Sequence, residues 1–363
     1  MDGLFSRGEI NGLILRNRFV RSATWEGLAT DEGAATPQLA DMMARLASGG
    51  VGLVITGHAY VLPDGQTSPR QLGIYKDQLI SGLKNITRAV HEEGGKIVVQ
   101  LAHAGFYARK VLTGKVPLAP SAVKGLSNAP RREMMPEDIH AIIQAFGQAA
   151  LRAREAGFDG IQLHAAHGYL LSQFLSPRFN HRTDKYGGEI MNRVRIHIEL
   201  LREIRRNVGP DYPVLIKMNC SDFSEDGLTL DDSVQAAVAL CRAGIDAIEL
   251  SGGLLTSKNE GPNRPGIDSE DKEAYFREEA VVFKRYVSVP LILVGGIRSY
   301  QVAENIFEKG IADYISMSRP FIREPDLINR WKSGDLRKST CVSDNLCFKS
   351  GISGEGVHCR TKK

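Results

Sequence analysis

PEDIHAIIQAFGQAALRAREAGFDGIQLH, residues 136–164, holds the unit from which the chain is built. Residues 136–155 read as an amphipathic helix and residues 160–164 as a short apolar strand, with Ala156-Gly157-Phe158-Asp159 between them. A glycine just past a helix can take the left-handed C-cap conformation and turn the chain back into the next strand. The same passage recurs at Ser48-Gly49-Gly50-Val51, Ala243-Gly244-Ile245-Asp246 and Lys309-Gly310-Ile311-Ala312-Asp313. Four such sites in phase amount to a degenerate internal repeat.

Outward from that unit, strands are expected at 18–22, 51–56, 96–101, 160–164, 214–219, 247–251, 291–294 and 314–317. They are apolar almost throughout, as parallel strands buried on both faces must be. Amphipathic stretches at 38–46, 78–92, 136–155, 191–207, 230–242, 278–286 and 300–308 separate them. Eight strands alternating with helices predict an α/β fold, a closed (β/α)8 TIM barrel. The competing open doubly wound sheet usually has fewer strands and a G-x-G-x-x-G after the first of them. No such motif is present.

The chain has 363 residues, against ~250 for a barrel of this kind. The surplus of about 110 is expected as loop insertions and a tail on one domain. That gives a barrel over 1–335 and a cysteine-bearing tail over 336–363 packed on it. The chain is 42% hydrophobic and 24% charged. Such a composition excludes disorder, a collagen and a disulfide-stapled miniprotein. No apolar run approaches the length of about 18 residues that a membrane span needs. The N-terminus, MDGLFSRGEI, lacks a signal-peptide pattern. Net charge is only +4, and the basic residues at 202–206 fall on a helix face. Neither nucleic acid nor a membrane is therefore an expected partner. The odd count of five cysteines points to a reducing cytoplasm.

A barrel places its chemistry where its strands end. Those ends hold Ser22-Ala23-Thr24-Trp25, Thr56-Gly57, Gln100 to His103, His164 to Tyr169, Lys217 and Asn219, Gly295-Gly296 and Ser318-Arg319. The last two strand ends are the fold's usual phosphate site, where paired glycines bring backbone N–H groups to an anion and Arg319 can clamp it. Lys217 interrupts an apolar strand and calls for an anionic or strongly accepting partner, a neighbouring carboxylate being the plain alternative to a ligand. Gln100 suits the edge of a heterocycle, or is a satisfied core amide. His164, His167 and Tyr169 form a hydrogen-bonding and proton-transfer set with no nucleophile beside it. The rival is a zinc pair in H-x-x-H, with His58, His103 or Asp222 completing it.

The run from His164 through Gly168-Tyr169 to Ser176-Pro177, continuing with Asn180, Arg182, Asp184, Tyr186-Gly187-Gly188 and Asn192-Arg193, resembles the signature of the Old Yellow Enzyme family. Further likeness lies at Asn17-Arg18, Gln100 to Gly105, Ala119-Pro120-Ser121 and Gly295-Gly296, so that it spans about residues 3–335. The resemblance implies an FMN-containing NAD(P)H:flavin oxidoreductase, an ene-reductase on a (β/α)8 barrel. It implies that Ser22, Ala23 and Gly57 pack and hydrogen-bond the flavin ring, that Gln100 bonds its pyrimidine side, and that Lys217 sits near N1 and O2. Gly295, Gly296, Ser318 and Arg319 would hold the phosphate. His164 and His167 would bind the carbonyl oxygen of the second substrate and Tyr169 would be the proton donor. The implied reaction is ping-pong: NADH or NADPH reduces the flavin, then hydride passes to the β-carbon of an α,β-unsaturated carbonyl compound and Tyr169 protonates the α-carbon. The resemblance also implies dimers or larger homo-oligomers.

Two stretches depart from the family. Trp25 stands where a residue near flavin O4 and N5 is usual, unless Thr24 takes that place; the indole would narrow the pocket or pack away from the ring. The tail, Cys341-Val-Ser-Asp344-Asn-Leu-Cys347 with Cys359, resembles the C-x2-C-x3-C-x11-C [4Fe–4S] motif of the dienoyl-CoA reductase and trimethylamine dehydrogenase branch. Asp344 occupies the second ligand position and the next interval is one residue short. Thiolates normally supply all four ligands, so an intact cluster is not expected; a packed remnant is, with a zinc site from Cys341, Cys347, His358 and Cys359 as the outside alternative. Three other functions are weighed: a flavin-dependent dehydrogenase or demethylase of a small amine, a zinc hydrolase using His164 and His167, and a non-enzymatic phosphate-binding barrel.

Overall fold

The computed structural model describes residues 3–123, 129–257 and 259–361. The two long loops 103–130 and 254–274 therefore lie partly outside the described residues, at 124–128 and 258. Eight parallel strands close into a barrel: β1 (Phe19–Arg21), β2 (Leu53–Tyr60), β3 (Ile97–Ala102), β4 (Gly160–Ala165), β5 (Val214–Asn219), β6 (Ala247–Ser251), β7 (Leu291–Leu293) and β8 (Tyr314–Met317), with β8 pairing back onto β1. Helices wrap the outside: α1 (Pro37–Ser48), α2 (Ile80–Glu92), α3 (Pro136–Glu155), α4 (Arg195–Val208), α5 (Leu230–Ala243), α6 (Arg277–Lys284), α7 (Tyr300–Glu308) and α8 (Leu327–Lys332). Among the described residues no helix is long and apolar enough to cross a membrane.

Five expected elements, 136–155, 214–219, 247–251, 300–308 and 314–317, have the bounds read from sequence. Pro136 at the first helical turn gives α3 a sharp start. The strand expected at 51–56 runs on to Tyr60 instead, through a register shift between Ile55 and His58. Gly57, expected as a strand end, belongs to that bulge. Its N–H donates to the Glu26 carboxylate at 2.7 Å, rather than into the ladder. The helix expected at 191–207 is two, Ile190–Arg193 and α4, separated at Val194.

The bottom of the barrel is plugged by a hairpin that sequence reading did not anticipate, Gly8–Ile10 against Leu13–Leu15. Ile10, Leu13 and Leu15 pack with Val20, Leu53, Ile55, Val98, Leu215, Ile292 and Tyr314 into a closed apolar layer. Sealing one end dry leaves the C-terminal ends of the strands as the open mouth.

Chain 339–361 lies against that mouth. Ser339 N–H donates to Arg298 O, Val357 N–H to Glu26 O, and the Arg70 guanidinium to Gly351 O, at 2.8, 2.7 and 2.8 Å.

Candidate active site

One cavity opens at the mouth, walled by Ser22, Ala23, Thr24 and Trp25 after β1, His58 of β2, Gln100 of β3, His164, His167 and Tyr169 at the end of β4, and Lys217 of β5. Gly296, Ser318 and Arg319 line its far part, with Phe348 and Ser343 from the tail. The structure thus brings together eleven of the thirteen residues proposed from sequence. Gly57 and Gly295 are not on the wall: the N–H of Gly57 is spent on Glu26, and Gly295 is braced by the carbonyl bond it accepts from Tyr275 N–H at 3.1 Å.

Beneath the cavity runs a polar layer inside the barrel. The Gln100 amide donates to Gln162 Oε1 at 2.8 Å, and Gln162 donates to Glu249 Oε2 at 2.8 Å. Glu249 Oε1 accepts from Ser22 Oγ at 2.7 Å, Ser316 Oγ at 2.8 Å and Lys217 Nζ at 3.2 Å, while Lys217 also donates to Ser22 Oγ at 2.7 Å. Burial by itself would push the Glu249 carboxyl up, but Lys217, Ser22, Ser316 and Gln162 hold it below its ordinary value. Lys217 therefore has the carboxylate partner that sequence reading allowed as its plain alternative, and it still reaches the cavity wall.

The β4 end converges as expected. The His164 ring lies 4.5 Å from Tyr169 and 5.4 Å from His167, centroid to centroid. His167 occupies the left-handed region at φ 63°, its N–H held by Asn219 Oδ1 at 3.0 Å and its Nε2 by Ser251 Oγ at 2.8 Å. His164 Nδ1 is buried without a hydrogen-bond partner, as is His58 Nε2. His58 lies 5.4 Å from Tyr169 and 6.1 Å from His164. Burial lowers all three imidazoles, His58 to about 4 and the other two well below 6.5. The set is therefore neutral at pH 7. Burial pushes the Tyr169 phenol above its ordinary value of 10, against the Thr67 hydroxyl beside it, so it keeps its proton.

Trp25 answers the question left by its sequence position: its indole lines the cavity while its outer ring edge rests on Gly27 and Gly351 of the tail. Its Nε1 is buried and unpartnered. Thr24 Oγ1 instead bonds Ser318 Oγ at 2.7 Å, tying the first strand end to the eighth. At the far part of the cavity Gly296 has φ 74°, and a Cβ there would fall 2.7 Å from the Tyr275 ring. Only glycine fits such a position. Arg319 donates to Arg264 O at 2.9 Å and to Asn345 Oδ1 at 2.8 Å, which fixes its guanidinium on the wall.

Two of the tail groups named from the resemblance have other partners. Asp344 Oδ1 accepts from Leu346 N–H at 3.0 Å and its Oδ2 from Thr361 Oγ1 at 2.9 Å, and Arg323 donates to Cys359 Sγ at 3.5 Å. Among the described residues no three His, Cys, Asp or Glu side chains converge to hold a metal, which applies equally to His164 and His167 with His58, His103 and Asp222.

Two histidines, one half-buried and one fully buried, also make stability depend on pH. His58, and His197 on α4 whose Nε2 donates to Leu171 O at 3.0 Å, are both lowered from 6.5 to about 4 by burial. Between those values the unfolded chain binds the extra protons, so each histidine removes up to roughly 3 kcal/mol of stability as pH falls through that window. The urea midpoint is expected to fall steadily as pH drops from about 6.5 to about 4.5, and less steeply in His197→Gln. Parallel slopes in the two proteins would remove His197 as a cause.

A (β/α)8 barrel sealed at its bottom, whose mouth cavity gathers an amide, an ammonium, a guanidinium, neutral imidazoles and a protonated phenol, has the small-molecule and cofactor site usual for this fold. Residues 4–337 match the NADH:flavin oxidoreductase / NADH oxidase family, and the chain belongs to that family, the Old Yellow Enzyme family expected from its sequence. It is 38% identical over 352 residues to the NADH oxidase of Thermoanaerobacter brockii, covering 94% of this chain and 53% of that protein. The chain thus spans about half the length of that relative. It is 37% identical over 325 residues to the NADPH dehydrogenase of Bacillus subtilis, covering 89% of this chain and 92% of that one. A solved 2-naphthoyl-CoA reductase superposes with a TM-score of 0.90 at 27% identity, covering 98% of this chain and 56% of the other.

The residues that sequence reading missed are Glu249, Gln162, Ser251 and Glu26. Glu249 carried a visible signal, a charge in the middle of an apolar strand, the same signal that singled out Lys217 one strand away in register.

Proposed function

We propose that this chain is an FMN-dependent NAD(P)H oxidoreductase that reduces the activated C=C bond of α,β-unsaturated carbonyl compounds. One observation carries the proposal: His164, His167 and Tyr169 meet at the same cavity as Gln100, Lys217 and Ser22, with His164 Nδ1 buried and unpartnered. A buried imidazole nitrogen without a partner is costly unless a ligand meets it. Gln100, Lys217 and Ser22 would hold the polar edge of FMN, and Gly296, Ser318 and Arg319 its phosphate. Bound there, FMN would supply hydride acceptance from the nicotinamide and hydride donation to the β-carbon of the second substrate.

The chain's own residues do the rest. A neutral imidazole donates one N–H to the substrate's carbonyl oxygen and draws electron density from the double bond without having to lose a proton first. Tyr169 keeps its phenolic proton at neutral pH and delivers it to the α-carbon. Trp25, Tyr275 and Phe348 on the wall exclude water from the reacting atoms. On this reading residues 1–335 are the FMN-binding barrel and 336–363 a tail packed on it; the protein works in the cytoplasm, with small molecules as its partners and self-association into homo-oligomers open to it.

The purified protein is expected to be yellow, to bleach anaerobically with NADH or NADPH, and to recover its colour on mixing with 2-cyclohexenone or a dienoyl thioester. Bleaching by a secondary or tertiary amine, with no recovery on any enone, would replace this function with amine dehydrogenation. A colourless protein that takes up no FMN would overturn both.

A further inference from the structure

Lys217 and Glu249 sit in register on β5 and β6, both buried, with Nζ 3.2 Å from Oε1. The ammonium reaches the cavity wall and the carboxylate does not. Glu249 is completely enclosed and accepts from four side chains, three of which, Ser22, Ser316 and Lys217, line the cavity themselves. The fourth, Gln162, passes the contact on to Gln100, which also lines the cavity. One hidden carboxylate thus anchors the groups that face a ligand from the ends of β1, β3, β5 and β8.

As a device for stability this layer is poor. A buried ion pair is commonly matched or bettered by apolar residues of similar volume, because desolvating two charges offsets their attraction. What an apolar pair could not do is hold a cation on the wall at a fixed position while cancelling most of its charge. The Lys217 ammonium has the carboxylate 3.2 Å behind it. Such a pair presents a dipole to the cavity rather than a full positive charge.

We propose that Glu249 is a positioning residue that fixes Lys217 and Ser22 against the bound flavin and, by offsetting the Lys217 charge, keeps the flavin's reduction potential low. The inference rests on the function proposed above. A lone cation beside the polar edge would favour the anionic reduced ring and make it a weaker hydride donor to an alkene. The carboxylate behind the cation restores donor strength while leaving the cation available for binding.

The test is the flavin potential of the holoprotein, read by anaerobic equilibration with a reference dye, in wild type, Glu249→Gln, Lys217→Met and the double variant. Glu249→Gln is expected to stay yellow and to raise the reduced-to-oxidised ratio at fixed potential at least tenfold, equivalent to about 30 mV for a two-electron couple. Lys217→Met should lower the ratio, and the double variant should return toward wild type because both charges have gone. A merely structural role for Glu249 moves the melting temperature without this pattern of opposite signs. Should Glu249→Gln fail to fold, the double variant decides: a potential equal to that of Lys217→Met alone would overturn the proposal, and one nearer to wild type would support it. Wild-type protein that binds FMN beside a Glu249→Gln variant of unchanged or lower potential overturns this inference alone. Wild-type protein that takes up no FMN overturns it together with the function it rests on.

Discussion

Tyr169→Phe is expected to slow reoxidation of the reduced enzyme by an enone roughly 10²- to 10⁴-fold, the usual contribution of a positioned general acid. The phenol is buried against the His164 ring at 4.5 Å and its proton is held by an environment that disfavours the phenolate. Phenylalanine fills nearly the same volume, so packing around His58, His164 and Ala108 survives and only the O–H is lost. FMN retention and the rate of bleaching by NAD(P)H should stay within about twofold. The groups proposed to hold the cofactor, Gln100, Lys217, Ser22 and Arg319, are bonded to one another and to the barrel rather than to Tyr169. Stopped-flow measurement of the two half-reactions separates these outcomes. Equal losses in both would mean that Tyr169 shapes the cavity, and the proton would have to come from water or from an imidazole.

The barrel itself was legible because buried parallel strands and amphipathic helices leave different periods in the sequence, and because a glycine at four of the helix exits marks the switch between them. What escaped has physical causes that a linear pattern does not encode. Gly57 stood as a strand end because glycine weakens strands. The Glu26 carboxylate, brought over from the β1 loop, satisfies its N–H at the bulge through which β2 continues to Tyr60. The hairpin over residues 8–15 has strands of three residues, too short to show an alternation. Trp25 could not be placed because its packing partner, Gly351, lies at the far end of the chain. Glu249 was overlooked although it broke an apolar strand as plainly as Lys217 did, and pairing the two by strand register would have found it.

The motif that carried the resemblance proves to be two things in sequence. Its first part, His164 to Tyr169, lines the cavity. Its second part is scaffold: Asn180 donates to Phe174 O and Tyr186 O at 2.8 Å, Arg182 to Pro120 O at 2.9 Å and to Asp184, and Arg193 to Leu175 O and to Asp232. Buried guanidinium groups that satisfy several loop carbonyls hold irregular chain in one conformation, which a catalytic loop needs as much as its catalytic residues. A match to such a motif therefore speaks for the geometry of the site and leaves its substrate to residues outside it, such as His58 and Trp25.

Arg21→Met is expected to cost about 3–5 kcal/mol of folding stability, the largest single loss foreseen outside the apolar core. Arg21 and Glu26 are both buried and lie 3.1 Å apart; burial pushes the guanidinium down and the carboxyl up, and each opposes the other's shift by its charge. Arg21 also donates to Ile55 O at 2.5 Å and to Thr24 O at 3.1 Å, while Glu26 holds the Gly57 N–H. The pair thus joins the end of β1, the β2 bulge and the loop that carries Thr24 and Trp25 to the cavity. Methionine would fill the space but leave an uncompensated carboxylate and two orphaned carbonyls in a dry site. Arg21→Met/Glu26→Gln should lose less than Arg21→Met alone, because a neutral amide can still accept from Gly57 and no buried charge remains unpaired. Urea titration at pH 7 measures both differences, and the FMN content of each purified variant reports whether the cavity wall loosens with the fold. A loss of under about 1 kcal/mol in Arg21→Met would show that the pair is well solvated in practice, and a double variant worse than the single would show that Glu26 gains nothing from Arg21.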